Sequence, residues 1–320
     1  MIAPLLVSRF VSDLAAAAGP LEPPFAVAVS GGPDSVALLL LSAAAFPGGV
    51  RAATVDHGLR PEARGEAGAV ARLCKAMGVP HAVLPAVVER SGEGTQAAAR
   101  EARYRALAGW MGREGLVLLL TGHHADDQAE TLVMRMNRGS GVAGLAGIRR
   151  SGAVPGAHAL RVARPLLGWR REELGALVRG EGIEAAADPS NADPAYDRAR
   201  IRMDMAEVRW LDRAGMARSA DALAQAEESV AWAAERLVAD RVEQDASGVS
   251  LGPEGVPPEL LRRVVLACLR RIAPEAAPRG EKLSALIAAL EDQRTATLAG
   301  VKAEVRGDRW LFAPAPSRRS

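Results

Sequence analysis

The sequence has little cysteine and no long apolar run, and each scarcity excludes a class of protein. Its two cysteines, Cys74 and Cys268, stand far apart and form no CxxC pair, which argues against zinc or iron–sulfur ligation. We expect two buried thiols rather than a disulfide. The longest apolar runs, such as residues 36–41 and 116–120, are too short to span a bilayer, and the first residues do not resemble a signal peptide. A cytoplasmic protein without membrane association is therefore expected.

Lysine is also scarce, since it occurs only at Lys75, Lys282 and Lys302. Apart from the histidines, every other basic residue is arginine. This bias accompanies a richness in alanine, so the abundance of arginine is not by itself evidence for RNA binding. The formal net charge of +2 is almost neutral and likewise indicates no nucleic-acid partner. At 320 residues, 49% of them hydrophobic and 24% charged, the chain is long enough for a sizeable core and two globular domains.

The most informative stretch is residues 25–41, FAVAVSGGPDSVALLLL. A short apolar run predicts a buried strand, a glycine turn follows, and either Asp34 or Ser35 is expected to cap a helix. This arrangement directs backbone N–H groups and a helix dipole at one point and is typical of phosphate binding. It is not a Walker loop, because no Gly-Lys-Ser/Thr follows. The residues expected around the phosphates are Ser30, Gly31, Gly32, Pro33, Asp34 and Ser35.

Further strands and helices alternate along the first two thirds of the chain, which predicts a doubly wound, mostly parallel sheet in an α/β fold. The second strand, residues 50–55, runs into the polar segment DHGLR. Polar residues at the carboxyl end of such a strand are where an open sheet binds ligands, so His57 is expected beside the nucleotide. On a later helix, Arg100 and Tyr104 share one face, and Arg100 either reaches a phosphate or is a solvated helix charge.

A fourth strand, residues 116–120, ends in TGHHADDQAET, which places two histidines and two aspartates at the start of a helix. Acidic residues at the start of a helix interact favourably with the helix dipole, which explains one or two of them. Four titratable groups in five residues are more than this interaction requires. Asp127 and Glu130 lie three residues apart on one face, so their carboxylates are able to hold an ammonium group or a metal. Residues 138–147 are glycine-rich, and we predict a loop mobile enough to close over a site, the alternative being a surface linker.

The sequence pattern changes after this glycine-rich segment. A fifth strand is predicted over residues 160–167. In residues 188–204, Arg198, Arg200 and Arg202 occur at alternate positions, and they either contact phosphates or lie in a solvated loop. From about residue 213 we predict long alanine-rich helices at 214–244, 257–272 and 279–291, followed by strands at 295–305 and 310–314. The α/β sheet is therefore expected to be followed by a helical linker and a small α+β domain. The domains are therefore assigned to residues 1–212, which carry every candidate cluster, and 213–320, a substrate-binding or packing module.

Several motifs in fixed order carry a resemblance. SGGPDS, which is similar to the PP-loop of ATP pyrophosphatases, is followed by DHGLR, AAREARY, TGHHADDQAET with RGSGVAGLAG, RPLL and DPSN. In that order they resemble the bacterial tRNA(Ile)-lysidine synthetases over roughly residues 25 to 205. The resemblance implies a Rossmann-like PP-loop ATPase fold. It also implies adenylation of the wobble cytidine of a tRNA(Ile) with a CAU anticodon, then attack by free L-lysine with release of AMP and pyrophosphate, by a monomer or homodimer.

The resemblance also implies roles for particular residues. Those implied in catalysis are Asp34, Arg100, His123, Asp126 and Asp127. Those implied in binding ATP are Ser30, Gly31, Gly32, Pro33, Asp34, Ser35, Val55 and His57, with Asp34 also a ligand of Mg²⁺. Those implied in binding tRNA or lysine are Arg60, His124, Glu130, Arg138, Arg198, Arg200 and Arg202.

Two departures and three rivals accompany the resemblance. The chain has Ala199 where the family's YxRNxIR pattern has asparagine, and residues 205–207 replace a common leucine-proline. One rival is a tRNA thiolase, which needs cysteines that carry sulfur, and another is an amide-forming ligase that takes its ammonia from a separate subunit. The third rival is a tRNA-binding protein whose nucleotide site is inactive.

Overall fold

In the computed structural model, the protein consists of two compact units, residues 1–224 and residues 225–320. The residues that the structure describes are 2–20, 22–56, 61–86, 95–186 and 197–316. The long helix α9 (Arg213–Arg241) begins in the first unit and ends in the second. The assignment of domains to residues 1–212 and 213–320 stays a prediction.

A six-stranded sheet with the strand order β3-β2-β1-β4-β6-β5 forms the centre of the first unit. Its strands are β1 (Phe25–Ala28), β2 (Val50–Asp56), β3 (His81–Pro85), β4 (Leu118–Leu120), β5 (Ser151–Val154) and β6 (Ala157–Ala163). Every neighbouring pair is parallel except β5 with β6. The predicted α/β fold with a doubly wound, mostly parallel sheet is therefore confirmed.

Helices cover both faces of this sheet. They are α1 (Pro4–Ala18), α2 (Pro33–Ala45), α3 (Pro61–Ala76), α4 (Thr95–Glu114), α5 (Ala125–Met136), α6 (Val142–Leu145), α7 (Arg171–Gly180) and α8 (Asp197–Glu207). One core packs α1, α2, α3 and α7 around buried side chains such as Phe10, Leu38 and Trp169. A second core lies on the opposite face, where α4 contributes Leu107 and Met111. The central strands β1 and β4 are buried almost throughout and are accordingly continuous apolar runs, whereas β2 and β6 include charged residues.

The strand order reverses beside β1. Val27 of β1 pairs with Ala52 of β2 on one side and with Leu120 of β4 on the other. In an open parallel sheet, a crevice forms outside the carboxyl ends of the strands where the order reverses. The segments that follow β1 and β4 are the two motif-rich stretches, so the topology brings them to one edge.

The end of the sheet differs from the sequence-based prediction. The strand predicted within residues 160–167 is β6, which begins and ends earlier, and β5 was not predicted. β5 and β6 form an antiparallel hairpin in which Gly156 has φ of +75°, a conformation that favours glycine. The hairpin closes the sheet with an edge strand rather than with another helix crossover.

The second unit is an antiparallel sheet of five strands in the order β7-β8-β11-β10-β9. Its elements are β7 (Val242–Asp245), β8 (Gly248–Leu251), α10 (Pro258–Ile272), α11 (Gly280–Glu291), β9 (Ala296–Leu298), β10 (Val301–Arg306) and β11 (Arg309–Pro314). The prediction of helix through residue 244 was wrong, because β7 begins at Val242 and pairs with β8. The strand predicted over 295–305 is two strands, β9 and β10, separated by Gly300 at φ +76°.

Candidate active site

The turn after β1 forms a cradle of backbone amides. Gly31 has φ of +93°, and α2 begins at Pro33 with Gly32 as its N-cap, so neither Asp34 nor Ser35 caps the helix as predicted. Proline suits this first position because its φ is already helical and it lacks the N–H that would be unpaired. No side chain caps the helix, so the N–H groups of its first turn point toward the crevice without a side-chain acceptor.

Two serines hold this turn in shape. The Ser35 Oγ accepts a hydrogen bond from the Ser30 N–H at 3.1 Å and donates one to the Gly32 carbonyl at 2.9 Å. The two hydroxyl oxygens lie 3.2 Å apart. The predicted phosphate-binding residues 30–35 therefore form one compact loop at the start of a 13-residue helix.

The segment after β4 packs directly against this loop. A Cβ built on Gly122 would lie 3.1 Å from the Asp34 carbonyl oxygen and 3.2 Å from the Ser35 nitrogen. Any larger residue at position 122 would force the two segments apart. Gly122 was not predicted as a site residue, although it belongs to the TGHH motif.

His124 lies at the centre of the site and is only 2% exposed. Its Nε2 is 3.4 Å from Asp34 Oδ2 and 3.6 Å from Asp127 Oδ2, and its Nδ1 is 3.7 Å from Asp126 Oδ2. Burial lowers the pKa of His124, but the hydrogen bond to Asp34 and the charges of the three carboxylates outweigh burial and raise the pKa above its usual value. Protonation of His124 is thus favoured, and its ring lies between carboxylates from both motifs.

The two aspartates of α5 have different partners. Asp127 Oδ2 accepts the His124 backbone N–H at 3.1 Å and, although burial opposes it, the neighbouring His124 and His123 hold the pKa of Asp127 below its usual value. Asp126 Oδ2 accepts the backbone N–H of Arg171 at 3.0 Å, and its Oδ1 lies 3.3 Å from Arg213 Nη1. Asp126 therefore links the site to the starts of α7 and α9.

His123 is neutral, in contrast to its neighbour. Its Nδ1 lies 3.0 Å from the Thr121 Oγ1. Burial lowers the pKa of His123 to about 4; Asp127 opposes this, while Arg164, Arg100 and Arg198 add to it. The two adjacent histidines consequently carry different charges at neutral pH.

Arg164 is a site residue that the sequence reasoning did not single out. It is 8% exposed, follows β6, and its Nη1 donates to the Arg149 carbonyl at 2.8 Å. Burial lowers the pKa of Arg164, opposed mainly by the nearby Tyr104. Arg100 lies over the same Tyr104 ring, with its Cζ 5.0 Å from the ring centroid. The RPLL motif was the available signal for Arg164.

Glu130 is bound by two arginines of α8. Its carboxylate accepts hydrogen bonds from Arg202 Nε at 2.6 Å and Arg202 Nη2 at 3.0 Å, and Arg198 Nε lies 3.4 Å from Oε2. The Glu130 side chain is 3% exposed. Arg198 and Arg202 are four residues apart and share a helix face, which brings both to one carboxylate. Glu130 is therefore paired with guanidinium groups in this conformation.

The remaining predicted contacts lie elsewhere or outside the described residues. Arg200 and Arg138 are exposed and lie 2.6 and 3.6 Å from Asp197 carboxylate oxygens. Val55 is half-buried near the end of β2. His57 and Arg60 lie outside the described residues, as does the part of segment 188–204 before residue 197. Ala199, the departure from the family pattern, is buried at 4% exposure on α8.

The glycine-rich segment 138–147 is only partly the predicted loop, and its mobility stays a prediction. It contains the short helix α6, and Arg135 donates hydrogen bonds to the carbonyls of Gly144 and Gly147. The buried Gln128 holds Ile148 through both backbone groups, at 2.9 and 2.6 Å. These contacts from α5 fix the end of the segment beside the site.

Both cysteines are buried free thiols, as predicted. Burial raises the pKa of Cys74 to about 11 and that of Cys268 to about 12, so neither is a thiolate at neutral pH. Among the described residues there is no group of three or more histidine, cysteine, aspartate or glutamate side chains that could hold a metal ion. Nor does any described helix have the length and apolar character needed to cross a membrane.

The sequence matches a known protein family, in agreement with the geometry of the turn after β1. The PP-loop domain family matches residues 8–208. A tRNA(Ile)-lysidine synthase of Novosphingobium aromaticivorans is 46% identical over 318 residues, 98% of this chain and 95% of the relative. One of Zymomonas mobilis is 43% identical and covers 94% of this chain and 91% of its own.

A solved structure supports the fold alone. The U34-tRNA thiolase of Methanococcus maripaludis aligns with a TM-score of 0.56 at 16% identity, over 69% of this chain and 79% of that one. The sequence relatives are far closer and span almost the whole chain. The chain belongs to the tRNA(Ile)-lysidine synthase family of PP-loop proteins.

Proposed function

We propose that this protein converts the wobble cytidine of a tRNA(Ile) with a CAU anticodon to lysidine. The cytidine O2 attacks the α-phosphorus of ATP and pyrophosphate leaves. The side-chain nitrogen of free L-lysine, after losing one proton, then attacks carbon 2, and AMP departs with O2 as the nitrogen loses a second proton. A tRNA with lysidine at the wobble position reads the codon AUA rather than AUG. The observation that carries the proposal is the His124 cluster, which joins the phosphate-binding turn to the acidic motif in a chain of this family.

ATP is proposed to bind with its phosphates over residues 30–35. The left-handed Gly31 and the uncapped start of α2 supply backbone N–H donors, and a helix N-terminus favours negative charge. The Ser30 and Ser35 hydroxyls add donors at the same place. Val55 and His57 are proposed on the nucleoside side, since Val55 lies near the end of the neighbouring strand β2 and His57 follows that strand in sequence.

Magnesium is proposed to accompany ATP at Asp34. The Asp34 Oδ1 is buried and has no hydrogen-bond partner, which fits a hard oxygen ligand. Because the described residues contain no cluster of three metal-binding side chains, the phosphates and water would supply the other ligands. When bound, Mg²⁺ would neutralise charge on the phosphates and on the leaving pyrophosphate.

The lysine is proposed to bind beside Asp127, with Arg100 and His123 on the other side of the reacting base. Glu130 is not proposed to hold the ammonium group, because its carboxylate already binds Arg202 and Arg198. A lysine amine has a pKa of about 10.4, so acidic side chains stabilise its ammonium form before reaction. An ammonium nitrogen has no lone pair, so a base must take one proton before the nitrogen attacks carbon 2, and a second proton leaves as AMP departs. His123 is our candidate base, because its low pKa of about 4 leaves the imidazole neutral at pH 7, whereas the raised pKa of His124 favours its protonated form.

The rest of the molecule is proposed to serve RNA recognition. Arg60, Arg138, Arg198 and Arg200 are proposed to contact the tRNA, and residues 213–320 are proposed to form a tRNA-binding or packing module. We also propose a cytoplasmic location and a monomer or homodimer. The tRNA contacts are supported by the family and, for Arg138 and Arg200, by the exposure of their side chains.

The proposal is tested by release of labelled AMP from ATP in the presence of L-lysine and a tRNA(Ile) transcript with a CAU anticodon, each omitted in turn. AMP release that requires the transcript is the expected result. Release without the transcript, or none at all, would instead favour another PP-loop chemistry or an inactive binding protein. Replacing lysine by sulfide or ammonia in parallel distinguishes the thiolase and ligase rivals.

A further inference from the structure

A cavity next to the candidate active site takes no part in the proposed transfer of lysine. It has a volume of about 480 Å³ and lies between the first turns of α5 and α7 and the connection from α8 to α9. Four arginines line it: Arg170, Arg171, Arg209 and Arg213. A volume of this size is enough for a ligand the size of a nucleotide.

Two of these arginines lack partners. Arg170 and Arg213 are paired with carboxylates. Within the part of the chain that the structure describes, the guanidinium groups of Arg171 and Arg209 make no ion pair and no hydrogen bond. A guanidinium presents up to five donors in a planar fork that suits phosphate oxygens. The cavity therefore holds two cations that are available to an anion.

The acidic side chains of the lining do not cancel this charge. Asp126 is paired with Arg213 at 3.3 Å, and Asp212 is paired with Arg218 at 3.2 Å. Glu172, exposed at the edge of the cavity, is the one lining acid without such a partner among the described residues. The lining is consequently selective for an anion.

Trp210 is adjacent in sequence to two residues that line this cavity. It lies between Arg209 and Leu211, and it is 84% exposed. A ring with this exposure is accessible to a planar group of a ligand. Unpaired RNA bases stack on such rings and on guanidinium planes whatever their sequence. The connection from α8 to α9 thus places a guanidinium suited to a phosphate, Arg209, next to a ring suited to base stacking, Trp210.

The cavity adjoins the reacting centre. Asp126 lines it and also approaches His124, with its Oδ2 3.7 Å from the His124 Nδ1. An RNA strand that delivers one base to the His124 cluster must continue past this point. We propose that Arg171 and Arg209 bind a backbone phosphate of the substrate RNA beside the modified nucleotide and that Trp210 stacks on a neighbouring unpaired base. The inference rests on the proposed function, because it takes the substrate to be RNA.

The test measures the affinity of a fluorescein-labelled tRNA(Ile) transcript for the full chain at several salt concentrations. Trp210→Ala is expected to weaken binding on the order of tenfold, and Trp210→Phe to restore most of the loss. Arg171→Ala combined with Arg209→Ala is expected to weaken binding and to reduce the salt slope by about 1 to 2. Leu5→Ala is the control, since this apolar residue is 79% exposed on α1 and belongs neither to the cavity lining nor to residues 213–320.

The outcomes separate the inference from the proposed function. Unchanged KM values for ATP and lysine in the Trp210 and arginine variants, with weaker RNA binding, support it. If RNA affinity stays within twofold of wild type, or if only the KM for lysine rises, the cavity is not an RNA site. Wild-type lysine transfer is measured alongside: if the wild type transfers none, the proposed function fails, whereas an active wild type with unaffected variants overturns only this inference.

Discussion

His124 Nε2 lies 3.4 Å from Asp34 Oδ2, and this pair joins the turn after β1 to the turn after β4. The contact holds Asp34 in one orientation, with its Oδ1 buried and free of partners. It also ties the position of the phosphate-binding loop to the charge of a single imidazole. This ion pair thus acts together with the Ser30–Ser35 contact and the close packing at Gly122 to position the ATP site beside its acidic neighbour.

Asp34→Ala is expected to abolish AMP formation while tRNA affinity stays within a few-fold of wild type. The carboxylate is our proposed Mg²⁺ ligand, and its loss removes an oxygen that no other described side chain replaces. Turnover and RNA binding are measured on the same preparation. Asp204→Ala, an exposed aspartate on α8, is the control and should behave as wild type. Normal turnover of Asp34→Ala would refute the assignment.

His124 should make stability depend on pH. Its pKa is raised above 6.5, because carboxylates outweigh burial. A raised pKa in the folded state means that protonation stabilises the fold fully below the unfolded pKa and that this stabilisation is lost as pH rises through the folded pKa. The free-energy difference between wild type and His124→Gln in urea unfolding should therefore shrink as pH rises from 6.5.

His158→Gln, a change at an exposed histidine of β6, is the matched substitution for this series. A difference between wild type and His124→Gln that grows with pH would show that His124 is neutral in the folded protein. The raised pKa would then be wrong.

Glu130→Gln should destabilise the first unit by about 3 kcal/mol, because it leaves Arg202 and Arg198 facing a neutral amide at a buried position. Asp197→Asn removes an exposed ion pair with Arg200 and should change stability by no more than about 1 kcal/mol. Chemical unfolding followed by circular dichroism compares the two. Equal effects would mean that the Glu130 pairs contribute no more than a surface pair.

Gly122→Ala should raise the KM for ATP, because the added Cβ would meet the Asp34 carbonyl at 3.1 Å and shift the phosphate-binding loop. Gly112→Ala in α4 has nothing within 4 Å of the new Cβ and should be neutral or slightly stabilising. Steady-state kinetics with varied ATP measures both. An unchanged KM in Gly122→Ala would show that the two segments separate without effect on ATP.

The strands and their site-bearing ends were predictable because the signals are local. The central strands β1 and β4 are short apolar runs with polar residues or glycine soon after them, so their positions and the polar segments that follow can be predicted from adjacent residues. The joining of Asp34 and His124 could be expected in general terms, since both follow strands of one parallel sheet. Their mutual distance could not, because it depends on the absence of a side chain at Gly122.

The parts that could not be predicted depend on distant partners. Glu130 looked available for an ammonium group, but its hydrogen-bond partner Arg202 is 72 residues away in sequence. Residues 138–147 were predicted as a loop, yet they contain the short helix α6, and Gln128 and Arg135 of the preceding helix hold their end in place. Val242 continued a helical pattern, yet pairing with Leu251 makes it a strand residue. In each case a tertiary contact overrides the local preference.

The most direct measurement is mass spectrometry of nucleosides from a tRNA(Ile) transcript with a CAU anticodon after incubation with the protein, ATP and isotope-labelled L-lysine. The proposal predicts one labelled lysine on the wobble cytidine, formed only with ATP, and none on a transcript with uridine at that position. An unmodified cytidine, a sulfur-bearing base or label at another nucleotide would contradict it.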